Sequence, residues 1–253
     1  MAGHSKWSKV KRVKESLDVK RGRLFSKLSK EIMIAARSGG RNFHLNPRLR
    51  AAVQSARSKS MPNENIVRAI ARGGCAGSTV AAAEQALYEG YGAGGAAILV
   101  EAATENRNRT AAVLRSLFSK KQGTLGGPGS ASHLFLRKGQ ILIPRGNLQE
   151  EWLLEVALQA GAEDLVCNDE FFTLFTSPDR FHSVAESLIR DFQVPIESQQ
   201  LTFLPRRIVN ISDLQTASYV LQLCNVLQEH EDVLRIHSNF NIPERLLGKV
   251  PLN

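Results

Sequence analysis

Basic side chains crowd the first part of this chain at a density suited to binding phosphates. Within the first 32 residues, ten positions carry Lys or Arg and only three carry Asp or Glu. Trp7 lies in the densest part of this run, and an aromatic ring among cations is typical of surfaces that stack exposed bases. Lysine and arginine hold phosphates as charged hydrogen-bond donors, so these residues predict the binding of a polyanion.

Charge is divided unevenly along the chain, whose formal net charge is +9 over 253 residues. Residues 1–72 hold 18 basic against 4 acidic side chains, whereas residues 73–253 hold 15 against 20. A surface that is merely solvated would mix both signs in both parts, so the asymmetry indicates a nucleic-acid partner for the first part. The acidic remainder fits either holding that part of the chain away from RNA or contacting a protein.

Motifs for catalysis, metal binding or membrane insertion are missing from the sequence. Cys75, Cys167 and Cys224 are far apart and form no C-x-x-C pair, which is typical of a reducing compartment. The six histidines form neither H-x-x-x-H nor H-E-x-x-H, and no G-x-S-x-G elbow occurs. No run approaches the roughly 20 apolar residues of a membrane span. We therefore expect a cytoplasmic protein without enzymatic activity, metal, cofactor, small-molecule substrate or membrane partner.

Two glycine-rich stretches resemble phosphate loops but lack the required context. "GYGAGG" at 90–95 satisfies G-x-G-x-x-G, yet the strand-like "AAILVEA" follows where a dinucleotide site needs a helix. We interpret this stretch as a glycine hairpin between two strands. "GTLGGPGS" at 123–130 lacks G-K-[ST] and predicts a flexible loop, which is either inert or binds a phosphate backbone through its amides.

Helical periodicity positions the cations of the first segment. Apolar residues recur at helical spacing from Leu17 to Ala35, and Gly39 and Gly40 predict the end of this helix. The basic residues on its other side form a separate stripe of Lys20, Arg23, Lys27, Lys30 and Arg37. Asn46 and Pro47 predict the start of a second helix, and a third ends at Gly73, so a three-helix unit results.

The rest of the chain alternates strands and helices. Residues 134–204 have the order βαββαβ of a ferredoxin-like unit, with Asn147 and Glu150 predicted as the capping pair of its first helix. The strand "ASHLFLR" precedes this unit, the strand "RRIVNI" follows it, and Ser212 is predicted to cap the next helix.

These patterns predict an α+β fold of three domains, the third inserted in the second. The predicted domains are a basic helical domain at 1–76, a discontinuous α/β domain at 77–133 plus 205–253, and a ferredoxin-like domain at 134–204.

Arginines also cluster where a strand gives way to a helix in "TENRNRT". With Asn106 at the helix start, free backbone N–H groups, Arg107 and Arg109 converge on one spot, which is a site for an anion. The alternative is that these arginines pair with Glu101 or Glu105.

A further cluster follows the first helix in "GGRNFHLNPRLR". It places Arg41, Arg48 and Arg50 near the rings of Phe43 and His44. Cations for phosphates beside rings for stacking are typical of proteins that bind single-stranded or irregular RNA. Phe43 taken alone is as well explained as a core residue.

Together these motifs define one set of candidate nucleic-acid-binding residues. The set consists of Lys6, Trp7, Lys9, Lys11, Arg12, Lys14, Lys20, Arg23, Lys27, Lys30, Arg41, Arg48, Arg50, Arg107 and Arg109.

Several blocks resemble, in order, the YebC/PmpR family, which includes the mitochondrial translational activator of cytochrome c oxidase. They are "MAGHSKW", "DVKRGRLFSKLSKEI", "NPRLR", "YEGYGAGG", "ENRNRT", "LGGPGS" and "NFNIP". The resemblance implies a cytoplasmic protein without known enzymatic activity, with a helical N-terminal domain and two α/β domains. Members have been described as DNA-binding transcriptional regulators, and also as translation factors that relieve ribosome stalling at proline-rich stretches. Ala93 stands where the family often has Pro, so this resemblance is weaker at the loops.

RNA and DNA remain the two candidate partners. Sequence-specific DNA binding needs Asn or Gln side chains that reach base edges, whereas the basic stripe is nearly all Lys and Arg. We therefore expect RNA, specifically ribosomal RNA on the ribosome, ahead of DNA.

Overall fold

A computed structural model of the protein describes residues 17–74 and 83–248. The helices of this part are α1 (Leu17–Gly39), α2 (Pro47–Ser58), α3 (Asn63–Gly73), α4 (Arg107–Lys120), α5 (Glu150–Ala160), α6 (Phe181–Arg190), α7 (Leu214–Glu229) and α8 (Glu244–Leu247). The strands are β1 (Glu84–Tyr91), β2 (Ala97–Thr104), β3 (Thr124–Leu125), β4 (Phe135–Pro144), β5 (Asp164–Cys167), β6 (Phe171–Thr176), β7 (Ser198–Pro205), β8 (Val209–Asn210), β9 (Val233–Ser238) and β10 (Phe240–Asn241). None of the helices described is long and apolar enough to cross a membrane.

The chain divides into two compact units. Within the described residues, the first unit comprises residues 17–34, 83–136 and 204–248, and the second comprises residues 35–74 and 137–203. The mixed α+β class expected from the sequence is confirmed by an N-terminal helical region followed by antiparallel sheets. The predicted boundaries of three domains stay a prediction.

The first three helices begin and end where the sequence predicts. Gly40 has φ +84°, a left-handed conformation that favours glycine and terminates α1. The buried Asn46 side chain joins α1 to α2: its Oδ1 accepts from the Leu49 N–H at 3.0 Å, and its Nδ2 donates to the carbonyl oxygens of Ala35 and Gly40, both at 2.8 Å. One amide side chain therefore satisfies three backbone groups that two helix ends leave open.

The first unit contains a four-stranded sheet in the order β3-β1-β2-β9. Strands β1 and β2 are antiparallel, and a turn at Ala93–Gly95 joins them, which confirms the predicted glycine hairpin. Gly94 and Gly95 have φ of +69° and +75°, so this turn requires glycine-like conformations at both positions. Helices α4 and α7 supply the core with side chains such as Leu114, Phe118 and Val220.

The second unit contains a sheet in the order β5-β6-β4-β7, on which α5 and α6 pack. The element order β4-α5-β5-β6-α6-β7 is the expected βαββαβ order. Fully buried side chains from strands and helices form its core, including Ile141, Leu153, Phe172, Phe181 and Leu188.

The strand predictions need one correction at the junction between the two sheets. The strand predicted in "ASHLFLR" and the first strand of the predicted βαββαβ unit are one continuous strand, β4, which begins at Phe135 and ends at Pro144. Gly139 does not break this strand but pairs with Thr176 of β6. A Cβ at Gly139 would lie 2.3 Å from the Thr176 hydroxyl oxygen and 2.5 Å from the ring of Phe181, so glycine is needed there for close packing.

Two predicted helix caps are wrong by one or two positions. Helix α7 is capped by Asp213 rather than Ser212, because the Asp213 carboxylate accepts from the Thr216 N–H at 2.8 Å. Helix α5 follows Gln149, which makes no side-chain capping bond, so Asn147 and Glu150 do not form a capping pair.

The strand predicted in "RRIVNI" is shorter than expected. It forms only the two-residue strand β8, which pairs in parallel with β10.

Candidate nucleic-acid interface

The predicted basic stripe on α1 is divided between solvent and the interior of the first unit. Arg23 is exposed and forms no hydrogen bond or ion pair with any residue that the structure describes. Lys27 instead donates to the carbonyl oxygen of Gln228. Lys30 donates to the carbonyl oxygen of Glu231 and to the carboxylate of Asp232, both at 3.0 Å. Their charges are therefore partly committed to the protein's own fold, and a role in binding RNA stays a prediction.

Asp232 is the centre of a buried polar network that receives Lys30. Its second carboxylate oxygen accepts from the Thr110 hydroxyl at 2.9 Å, and this hydroxyl lies 2.7 Å from that of Thr104. Burial alone would raise the pKa of Asp232, but the hydrogen bonds from Lys30 and Thr110 outweigh it and hold the pKa below its ordinary value. The carboxylate therefore stays ionised and fixes α1 to the start of α4.

The cations after α1 have different surroundings. The Arg50 guanidinium lies 3.5 Å from the carboxylate of Glu186 in the same unit. Arg41 and Arg48 are exposed, and each also has an interaction partner within the protein. A Cβ at Gly74 would lie 1.6 Å from Nε of Arg41, so the arginine side chain packs directly on this glycine. Phe43 is half-buried and meets His44 edge to face at 5.9 Å, which leaves part of its ring accessible.

Helices α1, α2 and α3, residues 17–74, form the helical segment of the protein. This segment also carries exposed cations that are absent from the set of candidate residues predicted from the sequence. These are Arg37 at the end of α1, Arg57 and Lys59 at the end of α2, and Arg72 at the end of α3. None forms a side-chain hydrogen bond or ion pair with the described residues. For Arg57 the sequence signal is its helical phase, because it lies outside the row of buried apolar positions Leu49, Val53 and Ala56 on α2.

Most Asn and Gln side chains in the same segment form hydrogen bonds within the protein or are buried. Asn42 accepts from the backbone of His44 at 2.9 Å, and Asn46 is buried. Gln54 donates to the carbonyl oxygen of Ile196 at 3.3 Å, and Asn65 accepts from Arg68. The side chains best suited to reading base edges are therefore held within the protein, while the cations around them remain exposed.

The arginines of "TENRNRT" separate in the structure. Arg107 forms a two-pronged ion pair with Glu84, at 2.7 and 3.0 Å, rather than with the expected Glu101 or Glu105. Both partners are more than half exposed, so the pair contributes at most about 1 kcal/mol. Arg109 is exposed and has no side-chain partner among the described residues. Anion binding at these arginines stays a prediction.

The glycine-rich loop at 123–130 is anchored near its end by a buried carboxylate. Glu89, which is buried, accepts from the backbone N–H groups of Gly129, Ala131 and Ser132 at 2.7–2.8 Å. Burial pushes the pKa of Glu89 up, but these three donors outweigh it, so the pKa lies below its ordinary value. The amide of Gly129 is therefore already bound, and the same carboxylate also holds the amides of Ala131 and Ser132, which follow the loop.

Six of the candidate residues lie outside the described residues. They are Lys6, Trp7, Lys9, Lys11, Arg12 and Lys14. Lys20 belongs to α1, but its side chain is outside the described part as well. Residues 17–74 and 83–248 contain no group of three or more His, Cys, Asp or Glu side chains that could hold a metal ion.

The fold and the distribution of exposed cations together characterise this chain. It combines a basic helical segment with two antiparallel sheets, each packed against helices, and its exposed cations are concentrated on the helical segment.

The chain belongs to the TACO1/YebC family. The TACO1/YebC protein N-terminal domain matches residues 5–75, and the TACO1/YebC second and third domain matches residues 83–240. The YebC/PmpR resemblance is thereby confirmed.

Curated relatives and a solved structure match nearly the whole chain. A probable transcriptional regulatory protein of Aquifex aeolicus is 46% identical over 251 residues, covering 99% of this chain and 100% of the relative. A protein of the same description from Rubrobacter xylanophilus is 45% identical, covering 99% of each chain. The crystal structure of a conserved hypothetical protein from Aquifex aeolicus superimposes with a TM-score of 0.81 at 44% identity, covering 90% of this chain and 93% of that one.

Proposed function

We propose that this protein is a non-enzymatic regulator of gene expression that binds ribosomal RNA through its basic helical segment. In this proposal it acts on the ribosome as a translation factor and relieves stalling at proline-rich stretches. The observation that carries the RNA-binding part is a contrast within residues 35–74: Arg37, Arg57, Lys59 and Arg72 are exposed and have no side-chain partner among the described residues, while amide side chains such as Asn46 and Gln54 are held by the protein itself. Such a surface suits phosphate binding with little reading of base sequence.

The test of the surface is a pair of triple variants that remove equal charge. Arg37→Gln/Arg57→Gln/Lys59→Gln removes three exposed cations of the helical segment. A matched control, Arg115→Gln/Lys120→Gln/Arg206→Gln, neutralises three exposed cations of the first unit. Binding to purified ribosomes is measured by co-sedimentation across a salt series.

Each lost phosphate contact lowers the slope of log affinity against log salt by about 0.7–0.9. The helical-segment variant is therefore expected to lose roughly two to three units of slope, and the control to keep the wild-type slope. Equal loss in both variants would refute the assigned surface.

DNA-binding transcriptional regulation is the second candidate, and it has its own supporting observation. Helices α2 and α3 are joined by only four residues, 59–62, as in a helix-turn-helix unit. In that arrangement α3 would enter the major groove. The curated relatives named above also carry the description of probable transcriptional regulators.

Crosslinking in cells, with sequencing of both RNA and DNA partners, separates these candidates. Crosslinks concentrated on ribosomal RNA support the translation factor, and discrete promoter sites support the transcriptional regulator. Ribosome profiling of a strain lacking the protein tests the finer activity, because ribosome occupancy at proline runs is then expected to rise. Unchanged occupancy there would refute the stalling function without affecting RNA binding.

A further inference from the structure

Helix α5 presents leucines on the side that faces away from its own core. Leu153, Val156 and Ala157 are buried, whereas Leu154 is 44% exposed and Leu158 is 61% exposed. Residues four apart lie on one side of a helix, so these two leucines form an apolar row. Single exposed leucines are ordinary, but an apolar row along the exposed side of a helix is a candidate contact surface.

A row of carboxylates runs alongside these leucines. Glu151 and Glu155 are both exposed and also lie four residues apart. No Lys or Arg occurs in α5. The α5 face consists of Glu151, Leu154, Glu155 and Leu158.

Helix α3, which also belongs to the second unit, carries the same pattern with the opposite charge. Val67 is 57% exposed, and Ala71, one turn later, is exposed as well. Arg68 and Arg72 are exposed and run beside them, with Arg68 also hydrogen-bonded to Asn65 of its own helix. The α3 face consists of Val67, Arg68, Ala71 and Arg72.

The two faces match only in an antiparallel arrangement. At about 100° per residue, the arginine row of α3 lies on the same rotational side of its apolar row as the glutamate row of α5 does of its own. When two such helices face each other and run in opposite directions, rows on the same rotational side meet. Apolar row then lies on apolar row, and arginines lie opposite glutamates. In a parallel arrangement with the apolar rows in contact, the arginines and the glutamates would lie on opposite flanks and would not meet.

We propose that the α3 face of one copy of this chain binds the α5 face of a second copy. All eight residues of the two faces are exposed in the single chain. In a two-fold symmetric dimer each copy offers both faces, and the contact forms twice. The carboxylates of the α5 face exclude nucleic acid as its occupant, and their complement is present on the same chain. Arg68 and Arg72 are then assigned to this contact, whereas the RNA-binding test above uses Arg37, Arg57 and Lys59.

Charge reversal with rescue by mixing tests the pairing. One variant is Glu151→Arg/Glu155→Arg, and the other is Arg68→Glu/Arg72→Glu. Each alone sets like charges against each other in both contacts, whereas an equimolar mixture restores opposite charges in both. The molar mass of the full chain, freed of nucleic acid, is followed by analytical ultracentrifugation up to roughly millimolar concentration.

Wild-type protein is expected to dimerise, each reversed variant to dimerise at least about tenfold more weakly, and the mixture to recover the wild-type dimer. The control Asp169→Arg/Glu170→Arg reverses two exposed carboxylates elsewhere in the unit and is expected to leave dimerisation unchanged. Circular dichroism confirms that each variant is folded. A wild-type protein that stays monomeric, a dimer insensitive to both reversals, or a mixture that fails to recover would each overturn the proposal.

Discussion

Lys30→Met separates a structural role of this lysine from a role in binding RNA. Methionine keeps much of the apolar stem but removes the charge that Asp232 receives at 3.0 Å. The side chains of Lys30 and Asp232 are 21% and 7% exposed, so the pair lies between a surface ion pair and a fully buried one. Removing one partner of such a pair is expected to cost about 2 kcal/mol of unfolding free energy, because the buried carboxylate loses its main counter-charge.

The assay is thermal and urea unfolding followed by far-UV circular dichroism. A loss of this size corresponds to a melting temperature lower by about 4–8 °C in a chain of this length. Arg23→Met is the matched control on the same helix, since Arg23 is exposed and without a partner among the described residues. The control is expected to change stability by less than about 0.5 kcal/mol.

The loss also has a defined pH dependence. The folded-state pKa of Asp232 lies below its unfolded value, so the ion pair contributes stability above the unfolded pKa. That contribution disappears as pH falls through the folded pKa. The difference between wild type and Lys30→Met is therefore expected to be full at neutral pH and to shrink below about pH 4. A difference that is absent at pH 7, or equally large at all pH values, would refute the role assigned to this pair.

Three further predictions concern buried groups. Asn46→Ala removes three hydrogen bonds at two helix ends and is expected to destabilise the protein by about 2–3 kcal/mol, measured by urea unfolding; a loss below about 0.5 kcal/mol would contradict this. Glu89→Ala removes the acceptor of the Gly129 and Ala131 amides, so hydrogen exchange at these amides is expected to accelerate at least tenfold. Unchanged protection would refute the role of Glu89 in holding this loop. Burial raises the pKa of Cys224 to about 12, so iodoacetamide at pH 8 is expected to modify the exposed Cys167 first, as peptide mass spectrometry would show; the reverse order would contradict the burial.

Local signals in the sequence predict local structure well. The end of α1, the Asn46 cap and the glycine hairpin at 90–95 each depend on a few neighbouring residues whose conformational preferences agree. Errors arise where two adjacent residues can serve the same purpose, as with Ser212 and Asp213. There the structure selects the carboxylate, which accepts more strongly from the backbone N–H of Thr216.

Long-range partners decide the parts of the site that periodicity does not predict. Lys27 and Lys30 share a helical stripe with Arg23, and nothing near them in sequence indicates that they differ from it. Their difference comes from Gln228 and Asp232, about 200 residues away along the chain. A stripe of cations therefore identifies a surface on a helix, whereas the fold determines which of its members remain available.

Net charge is distributed unevenly over the chain, and its two parts are expected to contribute differently to binding a polyanion. In the second unit, residues 35–74 hold eight basic side chains and one acidic, and residues 137–203 hold five and eleven, so the unit is nearly neutral but strongly dipolar. Almost all of the chain's +9 therefore lies outside the second unit, chiefly in residues 1–34 of the sequence. Net charge governs long-range attraction to a polyanion, whereas a dipole governs orientation at close range. Neutralising lysines in residues 1–34 should therefore slow association, whereas neutralising Arg37 and Arg57 should mainly hasten dissociation.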